Sequence, residues 1–266
     1  MKTSDKEFSA LLSLLQDDDT KVASLAMEHF LKLGDLGTAI AMYQDDGDSQ
    51  VRKRMHQMSA ILSRRNARKQ FIEAVRENVP ELWDGVCRVN ILYDPQASLD
   101  KINRQARDLA SGLPASGTGV KAVAAFMKDR EFMVPNEDIL DGELYMMDSV
   151  LETNFGSAAA LCALASRVGE LRGWESRPVL FEGRLCLLGH ENILVDPGND
   201  WKLRKLDADH KVHACAKKDV WMMFLSQLFL IALVDGQLRD LYHFGDLLTA
   251  LNGGTVNDLP YPLGEK

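Results

Sequence analysis

The sequence predicts an α+β protein in which helices precede and follow a small antiparallel sheet. Two observations lead to this prediction. Before about residue 172 of the 266-residue chain, apolar residues recur mostly at helical spacing. Short apolar runs bounded by Gly, Pro, Asn and Asp then follow, which is typical of strands, before helical spacing returns from about Lys218 to Leu251.

The first two helices have recognisable starts and ends. Ser4 and Glu7 have the spacing of a capping box ahead of an amphipathic stretch. A second helix follows the acidic cluster at 17–19, and Gly34 is placed to end it.

A repeat follows. The segment DDDTKVASLAMEHFLKL (17–33) aligns with DGDSQVRKRMHQMSAIL (46–62) at an offset of 29 residues, and ALLSLLQ and AIAMYQ precede the two segments. Two such helix–turn–helix units resemble HEAT-like repeats, in which each helix pair leaves an apolar face for its neighbour to cover.

Residues 70–112 are also predicted to be helical, with a break at Asp94-Pro95. LPASGTG (113–119) is the best linker candidate. We therefore expect a helical domain at 1–112 and a second domain at 113–266. Within the second domain, SRPVLFEG, RLCLLG and NILVDPGNDWKL predict three or four short strands.

Composition and charge argue against several classes of function. A net charge of -8 argues against nonspecific nucleic-acid binding by the whole molecule, and no phosphate loop, dinucleotide fingerprint or HExxH indicates a cofactor. The four cysteines form no CxxC pair, which favours a reducing compartment. The N-terminus has no signal-peptide pattern. The longest apolar run, Trp221–Val234, is shorter than the ~20 residues of a membrane span and predicts a buried core helix. We expect a cytoplasmic protein without a membrane partner.

Cys162 poses the question of catalysis. Together with His190 and Asp196 it could supply the nucleophile, base and orienting acid of a cysteine hydrolase or acyltransferase, and Cys186 is an alternative nucleophile. If its helix begins near Gly156, however, Cys162 lies almost two turns in, where the helix dipole has little effect. Its neighbours are Ala and Leu, so the sequence favours a cysteine packed in the core.

Two further clusters have a functional and a plain interpretation. His210, His213 and Cys215 are potential metal ligands, but their irregular spacing equally fits a polar loop. Residues 49–72 contain seven basic residues and no acidic one, which indicates either a surface for an acidic partner or a solvated helix face. Aromatic residues for base stacking are absent from this stretch until Phe71, which argues against single-stranded nucleic acid. The basic residues are Arg52, Lys53, Arg54, Arg64, Arg65, Arg68 and Lys69.

Residues from about 80 to 206 resemble the SirB-type transglutaminase-like proteins of bacteria. The likeness is one of ordered features, of which VLETNFG and ILVDPG are the strongest, with the helix 161–169 and the hairpin SRPVLFEGRLCLL between them. The resemblance implies a papain-like core, in which a central helix packs on the antiparallel sheet.

The same resemblance locates the catalytic positions. The nucleophilic cysteine of catalytic members lies two residues after the glycine, a position that is Ala158 here, and the histidine position is Arg184; only Asp196 matches. Alanine offers no nucleophile and arginine stays protonated. The resemblance therefore implies a non-catalytic protein that acts in protein interaction or regulation, and the alternative is the enzyme based on Cys162.

Overall fold

The computed structural model describes residues 5–32, 37, 43, 45, 47–77, 81–114, 117, 119–135, 140–207 and 209–258. The chain divides into two compact units, residues 1–67 and 68–266. Ten α-helices and one five-stranded antiparallel sheet lie within the described residues, which confirms the α+β class. No helix in these ranges is long and apolar enough to cross a membrane.

The first unit is helical. It contains α1 (Asp5–Leu14), α2 (Thr20–Lys32) and the first part of α3 (Ser49–Arg76). One apolar cluster holds these helices together, because burial of large side chains is the main favourable term in such packing. Its buried members are Leu11, Leu15, Ala26, Phe30, Val51, Met55 and Met58.

The 29-residue offset appears in the structure as two equivalent helix starts. α2 begins at Thr20 and α3 at Ser49. The Asp19 carboxylate accepts the backbone N–H of Lys21 at 2.8 Å, and the Asp48 carboxylate accepts that of Gln50 at 2.7 Å. Each aspartate satisfies an N–H group that the helix itself leaves free, so the repeated DDD and DGD motifs are N-caps. Ser4 and, apart from Tyr43, the AIAMYQ segment lie outside the described residues.

The second unit is built around α8, of which ten of thirteen residues are buried. α4, α5, α6 and strand β2 all pack against it, so α8 is the central helix of this unit. The start of α8 is set by Ser157, whose hydroxyl accepts the backbone N–H of Ala160. The helices of this unit are α4 (Leu82–Tyr93), α5 (Leu99–Ser111), α6 (Gly119–Asp129), α7 (Met147–Thr153), α8 (Ala158–Glu170), α9 (Lys217–Val234) and α10 (Leu238–Leu251).

The sheet has the strand order β4-β3-β2-β1-β5 and every pair is antiparallel. Glu182 and Gly183, both with positive φ, form the tight turn between the first two strands, as a two-residue hairpin requires. The fifth strand was not predicted, since its sequence is polar. The strands are β1 (Arg177–Phe181), β2 (Arg184–Leu188), β3 (Ile193–Asp196), β4 (Lys202–Lys205) and β5 (His213–Ala214).

Two predictions about the second unit need correction. The boundary expected after residue 112 lies inside this unit, because α5 and α6 on either side of it both pack on α8 and Leu113 between them is buried. The apolar run Trp221–Val234 does form a helix, but it is not buried on all sides. Its face toward α4 and α10 is covered, and the opposite face is exposed near the C-terminal end.

Candidate functional site

Three elements bring Ala158, Arg184 and Asp196 to one place. Ala158 is the first residue of α8, Arg184 begins β2, and Asp196 ends β3. Because β2 and β3 run antiparallel, with Leu187 opposite Val195, the start of β2 and the end of β3 lie at the same end of the sheet.

The contacts within this group are close. Arg184 Nη2 lies 3.1 Å from Asp196 Oδ2. A Cβ placed on Gly198 would lie 3.4 Å from Asp196 Oδ1 and 3.6 Å from the Ala158 methyl, so these two atoms border the same small space. The structure thus assembles all three positions that the resemblance indicated, one from each of three elements.

The charged side chains of this group pair with one another. Asp196 is buried, and its second oxygen, Oδ1, receives no hydrogen bond from any described residue. Arg184 is about half exposed and also contacts Glu182 Oε2 at 3.6 Å, and Glu182 in turn accepts a hydrogen bond from Arg204 at 3.0 Å. A guanidinium stays protonated and donates only, so Arg184 holds the carboxylate in place but has no base function.

Ala158 stands where a nucleophile would benefit most from the helix. The first backbone N–H groups of a helix point outward, and its dipole favours negative charge there. A methyl group uses neither feature. Ala158 therefore offers no side chain that can attack a carbonyl.

Cys162 lies in the core. α8 begins at Ala158, two residues later than the sequence suggested, so Cys162 is just over one turn into the helix and its Sγ lies 3.4 Å from the backbone oxygen of Leu185. Burial raises the pKa of this thiol well above its usual value, and the neighbouring Cys186 and Asp196 raise it further. Such a thiol is not activated for attack.

His190 does not complete a triad with these residues. It is exposed in a short 3₁₀ helix, His190–Asn192, that joins β2 to β3. This turn is at the opposite end of β3 from Asp196, and a four-residue strand spans roughly 10 Å. The enzyme alternative built on Cys162, His190 and Asp196 therefore has its base separated from its acid.

The pKa values of the other three thiols are raised as well. Burial, with Asp196 close by, raises the pKa of Cys186 to about 12. Burial also raises the pKa of Cys87, and it raises the pKa of Cys215, where Asp219 adds to the effect. Since these and Cys162 are all the cysteines of the chain, no thiol has the lowered pKa of a catalytic cysteine.

The potential ligands His210, His213 and Cys215 do not form a metal site. His210 Nδ1 accepts the backbone N–H of Asp207 at 3.1 Å, and its ring packs on Phe181. His213 belongs to β5. Across the ranges that the structure describes, no three His, Cys, Asp or Glu side chains are grouped to hold a metal ion. The cluster is an edge strand with its preceding loop.

Most of the basic residues on α3 are exposed, but one of them was wrongly predicted to lie on the surface. Arg52, Lys53 and Arg65 are exposed and Arg64 is partly so. Arg54, predicted to belong to this surface, is instead buried. Its guanidinium donates to the backbone oxygen of Leu15 and, at 2.9 Å, to that of Asp17, beyond the end of α1. Carbonyls at a helix end need such donors, so Arg54 is a structural residue.

Sequence reasoning missed Glu182 and Gly198. Glu182 bridges Arg184 and Arg204, and its place in the Glu-Gly turn is the only signal that could have indicated it.

Comparison of the chain with protein-family models, curated proteins and solved structures found no match.

Proposed function

We propose that this chain is a non-catalytic transglutaminase-like protein, with HEAT-like N-terminal repeats, that acts by binding another protein. The observation that carries this function is the group at the start of α8. A methyl group, that of Ala158, occupies the nucleophile position beside Asp196, and Asp196 is paired with the permanent cation of Arg184.

Acyl transfer through a cysteine needs a thiolate, a nearby base and a group that orients the base. At this site Ala158 supplies no thiol, and Arg184 is no base. The two thiols nearest to the site in sequence, Cys162 and Cys186, are buried with raised pKa values. The thiol and the base are thus missing for separate physical reasons, so a single substitution would not restore both.

The basic face of α3 within the first unit is the surface we assign to the partner. Residues 49–72 contain no Asp or Glu, so no carboxylate of this stretch neutralises its cations. Lys53 and Arg65 are exposed and Arg64 is half-buried. The rest of the chain is strongly acidic, so a local positive field attracts an acidic protein surface and orients its approach.

Charge reversal tests this assignment. The variant Lys53→Glu, Arg64→Glu, Arg65→Glu is compared with the matched variant Lys101→Glu, Arg104→Glu, Arg107→Glu, in which three exposed cations of α5 are reversed. Each variant is immobilised, and proteins captured from an extract of the producing cells are quantified by mass spectrometry. We expect the wild-type chain and the α5 variant to retain the same acidic protein, and the α3 variant to lose it.

Salt provides a second readout. Screening at about 0.5 M salt, where the Debye length is only ~4 Å, should release the captured protein. Retention by the α3 variant, equal loss from both variants, or capture of nucleic acid in place of protein would each show that this surface is not the contact we propose.

A further inference from the structure

α9 has an unusual composition for a helix with an exposed face. From Val220 to Val234 it contains no charged residue. A helix that is apolar all round is normally buried on all sides. Here the described residues of the second unit cover only its inner face. The buried residues are Val220, Trp221, Phe224, Leu225, Leu228, Ile231 and Ala232.

The next helix, α10, also exposes large apolar side chains. α9 ends at Val234 and α10 begins at Leu238, so the two helices form a hairpin with a three-residue turn. Large apolar side chains near this turn recur at helical spacing on the exposed face of each helix. We call them the outer hairpin patch: Leu230 (40% exposed), Leu233 (53%), Val234 (61%), Leu238 (69%) and Tyr242 (47%).

All five side chains lie near one end of the hairpin. Leu230 and Tyr242, the members farthest from the turn, are each four residues from the adjoining helix end, or roughly 6 Å along the axis. All five exposed side chains therefore lie within about one helical turn of the loop that joins the two helices. Scattered apolar residues are normal on a monomer, but a contiguous patch marks an interaction site.

The exposed area of the patch fits a weak, reversible dimer. Large side chains offer on the order of 150 Å² of surface each, so the five exposed fractions leave about 400 Å² on each copy. Two copies together would bury about 800 Å², which is within the range of weak, transient interfaces, below ~1,200 Å².

We propose that the outer hairpin patch is the contact between two copies of this chain, related by a two-fold axis. In such an interface the same patch meets itself, so charges of one sign would face each other. The patch avoids this problem because its part on α9 is uncharged. At its margin the exposed Asp235 and Arg239 have opposite charges, and a two-fold arrangement can bring the carboxylate of one copy to the guanidinium of the other.

A lipid surface fits the patch less well than a second copy does. Helices that lie in a membrane interface have a polar face rich in Lys and Arg, which binds anionic lipids. Between residues 219 and 246 the only cation is Arg239, against four aspartates, and the whole chain carries -8. Anionic membranes would repel this part of the molecule.

Sedimentation of the full chain tests the dimer. We expect the wild-type protein, from about 1 to 100 μM, to shift from the monomer mass of 29.7 kDa toward twice that mass. The variant Leu233→Glu, Leu238→Glu should remain monomeric across the range, because two copies would bury four carboxylates. The matched variant Leu14→Glu, Leu25→Glu changes two exposed leucines of the first unit and should dimerise like the wild type. Circular dichroism confirms that each variant is folded.

Three results would overturn the dimer. The first is a wild-type protein that stays monomeric at 100 μM. The second is a hairpin variant that dimerises as the wild type does. The third is a monomeric wild-type protein that co-sediments with vesicles of phosphatidylcholine and phosphatidylglycerol and loses this binding in the hairpin variant, which would assign the patch to lipid.

Discussion

Ala158→Cys places a sulfur atom at the start of α8, in the half-buried position that the resemblance assigns to a nucleophile. The free N–H groups and dipole of the helix lower the pKa of a thiol there. Arg184 and Asp196 pair with each other, so their opposite charges largely offset at this position. Because thiols at helix N-termini have pKa values of about 3.5–7.5, we expect the introduced thiol to titrate at or below ~7.5.

The native Cys186 provides the alkylation rate with which the introduced thiol is compared. With a pKa raised to about 12, Cys186 is a thiolate in roughly one molecule in 10⁴ to 10⁵ at pH 7.5. The introduced thiol would be at least half ionised, which is an advantage of about 10⁴ in thiolate. A thiolate of lower pKa is less nucleophilic, and with a Brønsted slope of about 0.45 this offsets roughly a factor of 10². The net expectation is alkylation about 100-fold faster than at Cys186.

The assay is alkylation by iodoacetamide between pH 6 and 10, with the site and rate read by peptide mass spectrometry. Ala97→Cys is the matched control, since Ala97 is also half-buried but lies in the loop between α4 and α5. Its rate should rise with a midpoint near ~8.5, the ordinary value for a cysteine. A midpoint at or above that of Ala97→Cys for the Ala158→Cys thiol would refute the electrostatic interpretation of this site.

Three further predictions concern stability. Arg184→Met leaves the buried Asp196 carboxylate without its partner, so the free energy of unfolding in urea should fall by about 1–2 kcal/mol. Burial lowers the pKa of His243 below its ordinary 6.5, so the unfolded chain binds this proton more readily than the folded chain. The free energy of unfolding is therefore unaffected by this proton above pH ~6.5 and falls as the pH drops toward 5. It should fall less in His243→Phe, and thermal unfolding measured as a function of pH will show this. Gly85→Ala places a Cβ 2.1 Å from the Trp221 ring, and this overlap should cost about 2–3 kcal/mol despite the higher helix propensity of alanine.

Each of these predictions has a control. Arg177→Met, His190→Phe and Gly47→Ala change an exposed arginine, an exposed histidine and a glycine with open space around it. All three should alter stability by less than ~0.5 kcal/mol. Equal effects in a test variant and its control would show that the named contact does not determine stability.

The elements that the sequence predicted well are those set by local chemistry. The two aspartate caps at Asp19 and Asp48 are spaced as the repeated motifs are, and the Glu-Gly dipeptide at 182–183 makes the hairpin turn. The break at Asp94-Pro95 also separates two helices as expected. Caps, turns and breaks depend on neighbouring residues, so a linear pattern contains most of the information.

The features that the sequence did not predict depend on distant contacts. Arg54 is buried because the backbone carbonyl groups of Leu15 and Asp17, nearly forty residues away, accept hydrogen bonds from its guanidinium. β5 forms because β1 offers an unpaired edge to Ala214 and His213. The exposed face of α9 looks like core in sequence, since composition does not tell which side a neighbour covers.

The candidate site could be predicted from the sequence only in part. Ala158, Arg184 and Asp196 are separated by up to 38 residues, and only an ordered comparison with a known family suggested that they meet. The ion pair between Arg184 and Asp196 and the bridge through Glu182 required coordinates, because side-chain geometry across three strands is not encoded in any local motif.

The reactivity of the four native cysteines tests the proposed absence of cysteine catalysis most directly. In the unmodified protein at pH 7.5, iodoacetamide should label all four slowly, and labelling should become rapid only when urea unfolds the chain, because every thiol has a raised pKa. Rapid labelling of a single cysteine in the folded protein, abolished by His190→Ala, would contradict the account and identify an enzyme.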